Sequence, residues 1–73
     1  MDRTTAEQLM GIYHRLGNVL NEAEPIVRSI PNEAERELHL RAVGTIIQDL
    51  WVALMGPIVR EHADLDPDKK ARL

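Results

Sequence analysis

Seventy-three residues, 44% of them apolar and 29% charged, make one small domain, near the lower size at which a single chain buries enough surface to stay folded. The absence of cysteine excludes disulfides and thiolate metal sites as remedies for so small a core, and oligomerisation is the remedy left. A net charge of −3 with scattered lysines and arginines disfavours nucleic acid as a partner.

The first predicted helix covers about residues 5–30. Leu9, Tyr13, Leu16, Leu20, Ala23, Val27 and Ile30 alternate steps of four and three, while Ile12, Val19 and Ile26 repeat every seven residues beside them and widen the stripe. Thr4 or Thr5 is the expected N-cap, with Glu7 or Gln8 as capping-box partner. His14, Arg15, Asn18, Asn21, Glu22 and Arg28 form the opposite, solvated face. Pro25 removes one backbone bond, yet the apolar spacing continues past it, so a kink is expected and not a stop. Gly11 and Gly17, with Gly44 in the next helix, read as points of close helix approach.

Ser29-Ile30-Pro31-Asn32 is the interhelical turn, because the residue before proline resists helical geometry and Asn32 can cap a second helix, with Glu35 at the third position. So short a turn makes the helices antiparallel. The second helix is expected over about residues 33–62, with Leu40, Val43, Ile47, Leu50 and Leu54 as its main stripe. A further stripe of Leu38, Ala42, Thr45, Val52, Met55 and Val59 lies on another side, which implies two sets of neighbours. The run from Leu50 to Val59 is apolar all round, and a kink is expected at Gly56-Pro57 inside it. Residues 63–73 read as a tail or a short helix, with Asp66 and Pro67 as cap and first helical position.

Chemistry-bearing patterns are sparse. No histidine is followed by another at four residues, and no glutamate by a histidine at three, so the ligand spacings of helical metal sites are missing. Glu35 and His39 stand four apart as a solvated pair. No nucleophile is placed beside a base and no glycine-rich phosphate loop occurs, so neither enzymatic activity nor a cofactor or metal is expected. Glu24 with Arg28, and Glu37 with Arg41, stand in the favourable order for surface ion pairs.

The segment His14-Arg15-Leu16-Gly17-Asn18-Val19-Leu20 resembles the phosphoacceptor segment of one group of sensor histidine kinases, His-Arg-Val-Lys-Asn-Asn-Leu. Identities fall at His14, Arg15, Asn18 and Leu20, while Gly17 and Val19 depart from it. The resemblance implies a helical hairpin that dimerises into a four-helix bundle, with His14 accepting or relaying a phosphoryl group. Without an ATP-binding region, only the relay role is implied.

The expected architecture is therefore all-α: a single antiparallel two-helix hairpin with kinks near Pro25 and Pro57, dimerising into a four-helix bundle. The expected function is a non-enzymatic oligomerisation or protein-interaction module, adaptor or regulatory. Leu50, Trp51, Leu54, Met55, Ile58 and Val59 are its expected interface, met by a second copy or by a different protein. Histidine phosphotransfer through His14 is the alternative, and a small helical nucleic-acid-binding regulator a further one. No stretch of about 18 uninterrupted apolar residues and no basic, apolar leader is present, so a cytoplasmic protein without a membrane partner is expected.

Overall fold

Residues 1–66 are described by the computed structural model, and they are helical with no strand among them. Helix α1 runs Arg3–Arg28 and α2 runs Glu33–Asp49; a wide-turned π-helical segment, Leu50–Met55, leads directly into α3, Gly56–Glu61. A single 3₁₀ turn at Ala63–Leu65 comes after it. The expected cap at Asp66-Pro67 and the tail after it fall at and beyond the end of the described residues.

Local chemistry accounts for the ends of the first helix. Asp2, extended at φ −70° and ψ 160°, is the N-cap: its carboxylate accepts the Thr5 N–H at 3.1 Å and the Thr5 hydroxyl at 2.6 Å. The helix thus starts two residues before the expected position, and Thr5 donates to the cap instead of serving as one. Pro25 lies inside α1, and helical geometry continues through it to Arg28. There the Ser29 N–H bonds back to Ile26 O at 3.1 Å, the Ile30 N–H to Val27 O at 3.0 Å, and Pro31 prevents further winding.

Asn32 then caps α2 as its sequence position implies, its side-chain oxygen accepting the Glu35 N–H at 2.9 Å. Arg36 reaches back and donates to the Ile30 carbonyl at 2.9 Å, tying the turn to the new helix. The short connection folds the second arm antiparallel against α1.

That arm is helical without interruption from Glu33 to Glu61. Pro57 offers no N–H to a carbonyl four residues back, and the turn ahead of it widens: the Gly56 N–H donates to Trp51 O, five residues earlier. A wide turn changes which residues face α1. Spacing in steps of three and four carries Leu54 into the main stripe, but the extra residue in the turn leaves Leu54 at 42% exposed and puts Met55, at 1%, in the core. Ile58 and Val59 come after Met55 on the inward side, being buried and half-buried.

The core lies at the open end of the hairpin, away from the turn. Ala6 and Met10 of α1 meet Leu50, Met55 and Ile58 of the second arm, with Leu9, Tyr13, Val59 and Leu65 packed around them. Gly17 lets Leu50 approach, since a Cβ there would lie 3.4 Å from Leu50 Cδ2. The same role does not hold at the other two positions: a Cβ at Gly44 would meet nothing within 4 Å, and one at Gly11 only the Arg15 side chain. The molecule measures 46 × 24 × 16 Å, and its Cα radius of gyration of 14.8 Å exceeds the roughly 11 Å of a compact chain this long. Two helices side by side form a single layer, and no other described element covers either broad side.

Candidate interaction surface

The two broad sides of the layer differ in chemistry. On one, Asn21, Glu24 and Arg28 line a shallow groove with Val27 of α1 and Leu40, Val43, Gly44 and Ile47 of α2. Farther along the same side, His14, Asn18 and Asn21 line a smaller groove with Trp51. This side is polar. Arg28 Nε donates to Glu24 at 2.9 Å on it, the first of the two ion pairs expected from spacing; Glu37 and Arg41 form no such pair among the described residues.

The other side is apolar. Leu16 is two residues before Asn18, which places it about 160° away round α1; Ile46 stands in the same relation to Gly44 on α2. Along α1, Ile12, Leu16, Val19 and Ile26 are 49%, 44%, 59% and 71% exposed, enough to leave most of an apolar stripe wet. Ile46 of α2 is more than half exposed, and so is Leu38, which lies two residues from the inward Leu40 and hence on the outer edge of α2; both share a shallow surface with Arg41, Ala42 and Thr45. No buried side-chain polar atom lacks a partner among the described residues, so the unmet requirement of this fold is apolar cover.

The six residues expected to carry association separate. Leu50, Met55 and Ile58 are buried within the chain's own core, and Val59 packs against it. Trp51 and Leu54 are exposed, Trp51 on the polar side beside His14. The stripe on α1 shows in the sequence as the seven-residue repeat of Ile12, Val19 and Ile26, where spacing makes it a widening of one face. Together with Leu16 of the main stripe these residues stay exposed, while Tyr13, Leu20 and Val27 of that stripe are half-buried or buried.

His14, the implied phosphoacceptor, is exposed and makes no hydrogen bond among the described residues. No group of three or more His, Asp or Glu side chains converges on a metal-sized site among the described residues. Glu35 and His39 are both exposed on α2.

A polar clamp that no local pattern announces closes the open end. The Met1 amino group donates to Glu61 Oε1 at 2.6 Å, and His62 Nε2 lies 3.2 Å from Met1 O and 3.3 Å from Glu61 Oε1. Arg3 binds both carboxylate oxygens of Asp64 and also donates to Glu7 Oε1 at 3.0 Å. The N-terminal ammonium holds the Glu61 carboxyl below its usual range, and Arg3 does the same to Asp64. The Thr5 hydroxyl, followed by the Thr5 N–H, lowers Asp2. Arg3 is itself held more firmly protonated by Asp64.

By length and average composition, Glu33–Glu61 also qualifies as a candidate membrane span, with mean hydropathy 1.6 over an 18-residue window of which 17% is buried. Uninterrupted apolar runs do not reveal this, because only averaging lets the flanking aliphatic residues outweigh Gln48 and Asp49. Within it, Leu50, Met55 and Ile58 pack against Ala6 and Met10 of α1, a helix with Arg and Glu side chains along its whole length. Comparisons with family models, with curated proteins and with solved structures find no match to this chain.

Proposed function

We propose that this chain is a non-enzymatic helical interaction module, a hairpin that keeps an apolar seam along α1 open for another helix and completes its core as part of a four-helix bundle. One observation carries the reading: Ile12, Leu16, Val19 and Ile26 recur at helical spacing on one side of α1 and remain 44–71% exposed. A stripe of this kind satisfies the physical requirement for helix-in-groove recognition, in which apolar anchors at three- and four-residue spacing supply the contact. Ile46 and Leu54 on the second arm add apolar surface beside it.

The test is a single charge in the seam. Val19→Asp replaces a 59% exposed side chain, so the hairpin keeps its helical circular dichroism, while association measured by sedimentation velocity is lost. An environment-sensitive apolar dye gives a second readout, binding an open seam and being displaced when the seam is covered. A wild-type chain that stays monomeric and leaves the dye dark overturns the reading.

A further inference from the structure

We propose that the occupant of the seam is a second copy of this chain, lying antiparallel along α1 with Leu16 of each copy against Val19 of the other and Arg15 of each facing Glu22 of the other. The proposal rests on the seam being a docking surface and adds the partner, its direction and its register.

The seam obeys the alternation of coiled coils: Ile12, Leu16, Val19, Ala23 and Ile26 advance by four, three, four and three. From Ile12 to Ile30 it spans about two and a half heptads, roughly 27 Å. Its two flanks are not alike. One flank, Tyr13, Leu20 and Val27, turns toward the chain's own second arm and is half-buried or buried. The other carries the exposed Arg15 and Glu22. In a parallel pair each flank would meet the opposite flank of its neighbour, and these charges would face residues already covered by the hairpin. In an antiparallel pair like flanks meet, and the two charged flanks face each other.

Charge then selects the register. With Leu16 packed on Val19, Arg15 and Glu22 of opposite copies lie within about 3 Å of the same level, and two-fold symmetry makes the contact twice. Sliding one helix by a heptad preserves the apolar layers but opposes Arg15 to Arg15 in one direction and Glu22 to Glu22 in the other. One register in three is attractive, and two are repulsive. The second copy also covers the broad apolar side of a layer only 16 Å thick, including Ile46 of α2.

Sedimentation velocity on the purified chain, with Arg15→Glu, with Glu22→Arg and with their equimolar mixture tests this. Both positions are exposed, so circular dichroism is expected to stay as in wild type. Wild type dimerises; each single variant places like charges at both contacts and self-associates about tenfold more weakly or less. The mixture restores wild-type affinity as a heterodimer, because one chain then carries two acidic and the other two basic residues. Single variants that dimerise like wild type, or a mixture no better than its components, overturn the register. A monomeric wild type that still binds the apolar dye, or that partitions onto neutral phosphatidylcholine vesicles, overturns the second copy as occupant while leaving an open seam. Only a monomer dark to the dye also removes the docking reading beneath it.

Discussion

The Gly56 N–H donates to the carbonyl of Trp51, five residues earlier, and a Cβ on Gly56 would lie 3.0 Å from that same oxygen. The widened turn thus depends on a residue without a side chain, followed by one without an N–H. Because the close atom belongs to the backbone, it has little freedom to give way. Gly56→Ala is expected to destabilise the chain by about 1 kcal/mol, the contact outweighing alanine's helix preference. Gly44→Ala, with nothing within 4 Å, is expected to stabilise it by about 1 kcal/mol. Opposite shifts of roughly 4–8 °C in thermal melts check the contrast.

The adjacent residues Leu54 and Met55 supply a test of the phase change. Met55 is 1% exposed in the core and Leu54 is 42% exposed. Met55→Ala is expected to cost about 2–4 kcal/mol in denaturant unfolding, and Leu54→Ala about 1 kcal/mol or less. A continuous α-helix through this region would reverse that order.

Much of the architecture is legible in the sequence because its causes are local. Pro31 stops a helix by sterics, Asn32 reaches its own third residue, and α1's apolar spacing survives Pro25, so two antiparallel helices result without long-range information. The widened turn is not legible, since it reconciles the missing donor of Pro57 with the fit of Met55 and Ile58 against Ala6 and Met10. A constant advance per residue puts Leu54, and not Met55, against α1. The size of Trp51 marks it as an anchor, but size does not reveal which broad side it joins. The Arg3–Asp64 contact bridges residues 61 apart and leaves no trace in any local pattern.

Acid is expected to loosen the open end of the hairpin before it melts the rest. Glu61 and Asp64 titrate lower when folded than their usual 4.5 and 3.8, so their contribution is fully present above those values and is lost as pH falls through the lowered ones. Amide hydrogen exchange at residues 62–65 is therefore expected to accelerate below about pH 4 relative to exchange in α2. Arg3→Gln removes the Asp64 partner and is expected to make these amides fast already at neutral pH. Equal protection in wild type and Arg3→Gln would show that the clamp does not hold this end.

Trp51 provides an internal reporter of which side associates, because it is the single tryptophan of the chain. It is 37% exposed and lines a groove with His14, Asn18 and Asn21, on the opposite broad side from Leu16. Pairing through the α1 seam leaves that groove wet. The emission maximum is therefore expected to stay constant through the concentration range in which sedimentation shows assembly, and to shift only when the hairpin unfolds. A blue shift that tracks assembly would place the indole in the contact and move the interface to the polar side. Trp51→Phe is expected to leave assembly within about twofold of wild type, whereas Leu16→Ala, in the middle of the seam, is expected to weaken it about tenfold.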